Sequence, residues 1–396
     1  MDRLRIMHVH DKPANGGGVR AHVDALTLAL SRAGHEVSTL RLVAPSDYAA
    51  PGERVFPRSF DPVRSIPLRR RLLAAIKDFA PDAVHLHAGF TSLAAPLIGA
   101  IAQRWHTIGT LHDVSPFCMT SSRLFEGREL CARVVGIGCR STGCWPAQGG
   151  LAAAAQFTTL IIRSGLRDAW SRLPHIIVPS SYLRGLALQH GFDPAKTHIF
   201  PHFTALPSLG DDPQIDPPLI IYVGAITSLK GSDIFVDALT QIASLRWDAV
   251  LIGEGPLRAN LQQQIEQNGL ASRIKLVGAL GTSDVTRYRR QSTLAVFPSR
   301  VAESFGLSGL ESLAAARPVV GFAQAGALEW LRDGETGLAA TPHDAEGLAF
   351  GIRRLLAGPA YAANLGENGR RLVGAIFSER HYLSKLDVLL KPTSKR

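Results

Sequence analysis

Leu4-Arg5-Ile6-Met7-His8-Val9, followed by Gly16-Gly17-Gly18 and then by Val19, Val23, Leu26 and Leu30, sets the fold class. The first run is short and apolar, as a buried strand requires. The glycines permit a tight strand-to-helix turn, and the last four residues recur at the spacing of one helix face. Gly34 ends that helix, and His35 to Val43 returns to the alternation of a strand. A β-loop-α-β unit of this kind opens a doubly wound parallel sheet. Asp82 to His87, His106 to Leu111 and His175 to Val178 continue the pattern as further strands, with Ser180 or Ser181 placed to cap the next helix.

The pattern breaks at Pro207-Ser208-Leu209-Gly210-Asp211-Asp212-Pro213 through Pro217-Pro218, a stretch of linker composition. It then restarts. Leu219 to Val223, Asp248 to Ile252, Ile274 to Val277, Leu294 to Phe297 and Pro318 to Phe322 read as strands separated by helical stretches. Two tandem Rossmann-like βα domains are expected, residues 1–207 and 218–375. A last helix within 376–396 is expected to pack back on the first domain. In such α/β folds ligand sits at the carboxyl ends of the strands, here expected in a cleft between the domains.

Composition narrows the class. The 396 residues are 46% hydrophobic and 19% charged, enough to build ordinary cores and too apolar for a disordered chain. No run of 18 apolar residues occurs, and Met1 to His10 has no apolar core of a secretory signal. Four cysteines do not make a disulfide scaffold. A soluble cytoplasmic protein is expected. The formal charge of +10 is uneven: residues through Leu206 carry +9 and the rest +1. That asymmetry suits a surface meeting phosphate, nucleic acid or anionic lipid, although an Arg-rich composition reflecting a GC-rich genome accounts for it equally.

The densest chemical signal is Phe297-Pro298-Ser299-Arg300-Val301-Ala302-Glu303-Ser304-Phe305-Gly306-Leu307-Ser308-Gly309-Leu310-Glu311. A strand ends at Pro298, a loop presents Glu303, and a helix starts near Phe305 or Gly306, where unpaired N–H groups and the helix dipole favour an anion. Glu303 and Glu311 are eight residues apart, but Glu303 belongs to the loop, so the two need not share a face. Either they divide an extended ligand between them, or they are capping and surface charges.

The whole block, Pro-Ser-Arg…Glu-Ser-Phe-Gly-Leu…Leu-Glu-Ser-Leu-Ala…Arg-Pro-Val-Val, resembles the signature of glycosyltransferase family 4. Its members are retaining, nucleotide-sugar-dependent enzymes of the GT-B fold. Tyr222-Val223-Gly224…Leu229-Lys230-Gly231, Gly253-Glu254-Gly255-Pro256, Val277-Gly278 and Asp333-Gly334-Glu335-Thr336-Gly337-Leu338 agree in order and spacing. So do Gly17-Gly18-Val19 and Thr110-Leu111-His112-Asp113. Each motif is weak alone; the ordered set spans nearly the whole chain.

The resemblance implies a donor site of Gly17, Gly18, Lys230, Leu280, Gly281, Thr282, Glu303, Ser304, Phe305, Gly306, Leu307 and Glu311. Lys230 would neutralise a departing diphosphate, Glu311 would accept from ribose hydroxyls, and Glu303 would meet the transferred sugar. Leu280 to Thr282 would line the base pocket. His112 would touch the transferred sugar and is counted catalytic with Glu303 and Lys230; Asp113 would orient it, and Asp113 and His87 fall on the acceptor side. The family's usual Arg after the strand glycine is Ala225 here, with Arg300 or Ser228 as partial substitutes. The Asn-Gly usual after the last strand of the first domain is His202-Phe203.

The glycines lack G-x-G-x-x-G spacing, which argues against a nicotinamide cofactor. No Asp-x-Asp pair ends a convincing strand, so no catalytic metal and no cofactor is expected. The substrates implied are a UDP- or GDP-sugar and a sugar or polyprenyl-diphosphate-linked glycan acceptor, in bacterial exopolysaccharide, O-antigen or glycolipid assembly. The basic segment Phe60 to Phe79, with Arg64, Arg69, Arg70, Arg71 and Lys77, could rest on anionic membrane or be an ordinary solvated helix. No nucleic-acid partner is expected; a degenerate sugar-nucleotide binder, a nucleic-acid-binding protein and an epimerase are the alternatives. Cys118, Cys131, Cys139 and Cys144 lie in an insert at about 115–150, of a kind that some bacterial family members carry. They invite a structural zinc site or stand as reduced thiols.

Overall fold

In a computed structural model, the structure describes residues 3–11, 17–43, 53–57, 62–87, 95–125, 129–142, 144, 151–210 and 215–391. Gly16, Phe60 and the linker residues Asp211, Asp212 and Pro213 lie outside them. The chain divides into two units: residues 1–202 with 379–396, and residues 203–378.

Unit 1 begins β1 (Arg5–His10), α1 (Gly17–Arg32), β2 (Glu36–Val43), β3 (Glu53–Pro57), α2 (Pro62–Phe79), β4 (Ala83–Leu86), α3 (Ala95–Ala102) and β5 (His106–Thr110). A two-stranded ribbon, β6 (Leu124–Phe125) and β7 (Glu129–Leu130), lies in the cysteine-bearing insert. Then come α4 (Leu151–Ser171), β8 (His175–Val178), α5 (Ser181–Gln189) and β9 (Thr197–Ile199). The seven-stranded sheet runs β3-β2-β1-β4-β5-β8-β9, and every pair in it is parallel. Ser180 caps α5, its Oγ accepting from the Leu183 amide at 3.2 Å. The core gathers Met7, Val9, Val84 and Leu86 from the strands with Leu72, Ile98, Trp170 and Leu183 from the helices.

The short strand β3 was not evident in the sequence. Its Glu53 is buried against two arginines: Arg41 Nε on β2 at 3.1 Å and Arg20 on α1 at 2.6 Å. Both guanidinium groups are themselves nearly inaccessible, and although Arg20 also holds Asp24 at 2.7 Å, the carboxylate compensates the deeper Arg41 in a medium where an unpaired charge is very costly. Glu53→Ala is therefore expected to destabilise unit 1 by about 3–5 kcal/mol. Urea unfolding would read this, and a loss below roughly 1 kcal/mol would mean the arginines find other partners.

Unit 2 contains β10 (Leu219–Val223), α6 (Ser232–Gln241), β11 (Asp248–Ile252), α7 (Arg258–Gln267), β12 (Ile274–Gly278), α8 (Thr282–Gln291) and β13 (Leu294–Phe297). It continues with α9 (Leu307–Ala314), β14 (Val319–Phe322), β15 (Gly337–Ala340), α10 (Ala345–Ala357) and α11 (Pro359–Ile376). Its parallel sheet is ordered β12-β11-β10-β13-β14-β15. This is the 3-2-1-4-5-6 Rossmann order, whose switch point lies between β10 and β13. The strands are near-continuous apolar runs because both sheet faces are covered.

α12 (Glu379–Leu390) returns to unit 1. Arg32 on α1 pairs with Glu379 at 2.6 Å, and His106 Nε2 lies 2.7 Å from the Leu389 carbonyl. Tyr382, Leu386 and Leu390 are buried there. No helix among the described residues is long and apolar enough to cross a membrane. On α2, Arg69, Arg70, Arg71 and Lys77 are exposed while Leu72, Ala75, Ile76 and Phe79 face the core, so the helix carries a basic outer face.

Candidate active site

The loops after β10 and β13 flank the switch point of unit 2, and they bring Lys230 and Glu303 together. After β10, the Thr227 side chain accepts from the Lys230 amide at 3.2 Å, closing a short 3-10 turn over Ser228–Lys230. Gly231 follows with φ +71°, and a Cβ there would lie 2.0 Å from the Pro298 carbonyl oxygen. Only glycine lets the two loops approach this closely. Lys230 Nζ thereby reaches Glu303 Oε1 at 2.5 Å, and the Ser299 hydroxyl donates to the same oxygen at 2.7 Å. Both bonds fall on Oε1, which leaves Oε2 for a ligand.

The Glu303 loop is held from behind. The Gln324 side-chain amide donates to the carbonyls of Ser299 and Arg300 at 2.9 and 3.0 Å, and the Gly326 amide donates to the Glu303 carbonyl at 2.8 Å. Trp330 Nε1 donates to the Phe305 carbonyl at 2.6 Å. Gly309, one turn into α9, gives that indole its room, since a Cβ would sit 2.0 Å from the ring. Gly306 precedes α9, and the first-turn amides of Leu307 and Ser308 have no intrahelical acceptor. Ser304 and Phe305 belong to the same braced loop.

Glu311 lies about one and a half turns from Gly306, and Arg289 of α8 meets its Oε2 at 2.5 Å. The Arg289 side chain is almost wholly inaccessible, so Glu311 is fixed by a buried cation. Leu280, Gly281 and Thr282 form the turn into α8, with Leu280 half-buried and the other two exposed. Arg289, Ser299, Gln324 and Trp330 carried no role in the sequence reading. Arg289 alone left a trace there, sharing a helix face with the buried Val285 at i and i+4.

Arg300 does not stand free as a substitute for the missing arginine. Asp233 grips it at 2.8 and 3.1 Å, and the Ser228 carbonyl accepts from it at 2.8 Å. Ala225 is exposed, and its carbonyl accepts from the Tyr222 hydroxyl at 2.7 Å. Burial, then the charges of Glu303 and Asp233, push that phenol well above its ordinary range and keep it a neutral donor.

In unit 1, Gly17 and Gly18 open α1 and are exposed. One turn further on, His22 enters a chain of buried imidazoles. His22 and His202 rings are 4.0 Å apart, His202 stacks on His112 at 5.3 Å, and His112 Nε2 lies 3.1 Å from His87 Nδ1. His87 Nε2 in turn lies 2.8 Å from His8 Nδ1, and His85 Nε2 lies 2.7 Å from Thr110 Oγ1. Burial pushes His8 down to about 3 and holds His22, His85, His87 and His202 well below the ordinary histidine value. Each is thus a neutral imidazole near pH 7. Asp113 Oδ1 is engaged by Ser115, accepting from its amide at 2.9 Å and from its hydroxyl. The ring nitrogen beside His112 Nε2 is His87 Nδ1.

The cysteines do not assemble into the zinc site considered from their clustering. Among the described residues their sulfurs form no metal-binding group, and all four are thiols. Cys118 is buried with its Sγ 3.3 Å from Thr120 Oγ1 and from the Arg123 amide, whereas the other three are partly exposed. Burial pushes the Cys118 thiol up, but the bonds from Thr120, Arg123 and Ser122 outweigh it and bring it below its ordinary value.

Two family models match in succession, "Glycosyltransferase Family 4" over residues 16–206 and "Glycosyl transferases group 1" over residues 212–372. Alpha-D-kanosaminyltransferase of Streptomyces kanamyceticus is 30% identical over 165 residues, 41% of this chain and 42% of that protein. The lipopolysaccharide core biosynthesis mannosyltransferase LpcC of Rhizobium leguminosarum bv. viciae is 30% identical over 226 residues, 55% of this chain and 60% of that protein. The matched stretches thus span less than two thirds of these two relatives. Among solved structures, sucrose-phosphate synthase from Thermosynechococcus elongatus superposes with a TM-score of 0.71 at 22% identity, covering 98% of both chains. The Anabaena protein HepE, in complex with UDP and glucose, gives 0.72 at 16% identity over 99% of this chain and 100% of its own. With its two parallel sheets and both family models in order, the chain belongs to glycosyltransferase family 4 and has the GT-B fold.

Proposed function

We propose that the protein is a retaining glycosyltransferase that moves a sugar from a nucleoside diphosphate sugar to an acceptor hydroxyl. The observation that carries this reading is the pair of cation-fixed carboxylates in unit 2, Lys230–Glu303 and Arg289–Glu311. Glu311 presents its outer oxygen to the ribose hydroxyls. Glu303 meets hydroxyls of the transferred sugar, and Lys230 with the first-turn amides of α9 takes up charge growing on the leaving diphosphate. The loop Leu280–Gly281–Thr282 serves the base, with Ser304, Phe305, Gly306 and Leu307 lining the phosphates and sugar. On unit 1, His112 serves the transferred sugar, His87 fixes it, and Gly17 and Gly18 let donor approach the backbone.

The reaction is a front-side displacement without a catalytic metal, in which the leaving phosphate oxygen receives the acceptor proton. Positioning and electrostatics supply the rate. Residues 1–207 take the acceptor and 218–375 the donor. HepE's bound UDP supports a uridine donor ahead of guanosine, and the name of LpcC supports an acceptor in surface glycan or glycolipid assembly. The basic outer face of α2 suits a peripheral seat on anionic membrane.

The test is a thermal-shift panel of UDP, GDP, ADP, CDP and dTDP on wild type and Glu311→Ala. One nucleotide is expected to raise the wild-type melting temperature and to shift the variant far less. If no nucleotide stabilises the wild type, the donor reading fails.

A further inference from the structure

The parallel pairing of β1 with β4 sets His8 directly beside His85, and His87, two residues on, returns to the same face of the sheet. All three side chains are fully buried, and one ring nitrogen of each lies within 4.8 Å of the other two. His85 Nε2 is taken by Thr110 Oγ1, and His87 Nδ1 by His112. That leaves His85 Nδ1, which has no hydrogen-bond partner, and His87 Nε2, which faces His8 Nδ1 at 2.8 Å. His8 Nε2 is likewise buried without a partner. Orphaned polar atoms at this depth are rare and costly.

We infer that His8, His85 and His87 form a site for one divalent transition-metal ion of the zinc or cobalt class. Neutral imidazole is a preferred ligand for these ions, and three such ligands leave a fourth position for water or an anion. Metal–nitrogen bonds of about 2.0–2.1 Å ask His8 and His87 to part slightly and His85 to close in. Thr110 and His112 then act as the outer hydrogen-bond partners that orient metal-bound histidines. The site belongs to unit 1, whereas Lys230, Glu303 and Glu311 belong to unit 2, and it does not depend on the donor reading. It does have one consequence for His112. With metal on Nε2, His87 must carry its proton on Nδ1 and donate it to His112 Nε2, which fixes the tautomer of His112 with its proton on Nδ1.

The experiment uses the full chain, stripped with chelator and titrated with cobalt(II) chloride, then zinc(II) chloride. One equivalent of cobalt is expected to bind with visible d–d bands and no sulfur charge-transfer band, and zinc should displace it and raise the melting temperature. His8→Gln and His85→Gln should each abolish that equivalent, whereas a variant with Cys118, Cys131, Cys139 and Cys144 all changed to Ser should keep it. Should the histidine variants fail to fold, X-ray absorption of the zinc-loaded wild type decides. Imidazole scattering at about 2.0 Å sustains the site, and a sulfur shell near 2.3 Å overturns it. Absence of a stoichiometric cobalt site, or binding that survives His8→Gln, also overturns it.

Discussion

Glu303→Gln is expected to lower turnover by about 10²–10³-fold while leaving nucleoside diphosphate affinity within a few-fold. Glu303 Oε1 accepts from both Lys230 and Ser299, so the carboxylate holds the ammonium in place, and in the proposed donor site its second oxygen would meet the sugar. An amide keeps the shape but loses the charge that fixes Lys230. The interaction lost is one that strengthens as the diphosphate departs, so it appears in kcat more than in binding. Lys230→Ala should differ by weakening nucleotide binding too, because in the proposed site the cation would meet the phosphates in the ground state as well. Release of nucleoside diphosphate from the donor, measured with and without acceptor, gives the rates, and calorimetry gives the affinities. A Glu303→Gln variant that turns over within threefold of wild type would place the carboxylate outside the chemistry.

Acid should unfold unit 1 at a pH where unit 2 still holds. Thirteen of the fourteen histidines lie in unit 1, and His343 alone lies in unit 2. Burial lowers His22 and His202 well below 6.5, and lowers the buried His35 and the half-buried His175, His190 and His198 by less. The unfolded chain takes up a proton near pH 6.5 at each of these sites and the folded chain does not. Their stabilisation is therefore complete above pH 6.5 and declines as pH falls toward the folded-state values. Each strongly lowered histidine contributes up to about tenfold per pH unit below 6.5 to the folding equilibrium until its own folded-state value is reached, and the contributions of His22 and His202 multiply. Peptide-resolved hydrogen exchange in chelator at pH 7.5 and 5 reads it, and His202→Leu should shallow the slope. Equal protection of α1 at both values would refute the argument.

The fold was legible wherever one local rule dominated. β10 is an unbroken apolar run, β1 carries Ile6, Met7 and Val9, Gly34 ends a periodic helix, and Glu303 sits in an ordered block of motifs. The strands β3 and β15 were not legible. Glu53-Arg54-Val55-Phe56-Pro57 reads as polar until Arg20 and Arg41 are placed beside it, and Gly337-Leu338-Ala339-Ala340 has little strand propensity apart from its pairing with β14. The candidate site divides in the same way. Lys230, Glu303 and Glu311 could be named from the resemblance of their motifs to the family's, but their partners Ser299 and Arg289 come from tertiary placement. The convergence of His8, His22 and His202 is also tertiary, since they stand on β1, on α1 and just beyond β9.

The return of α12 to the first unit has a consequence for how the protein is made. Ribosomes deliver that unit in two instalments, residues 1–202 and then 379–390, with all of unit 2 synthesised in between. At 5–20 residues per second the interval is about 10–40 s. During it the nascent first unit lacks Tyr382, Leu386 and Leu390, and His106 lacks the Leu389 carbonyl. The apolar surface destined for that helix must stay out of trouble for this long, so chaperone dependence in cells should track the first unit and ease once the final turns have emerged.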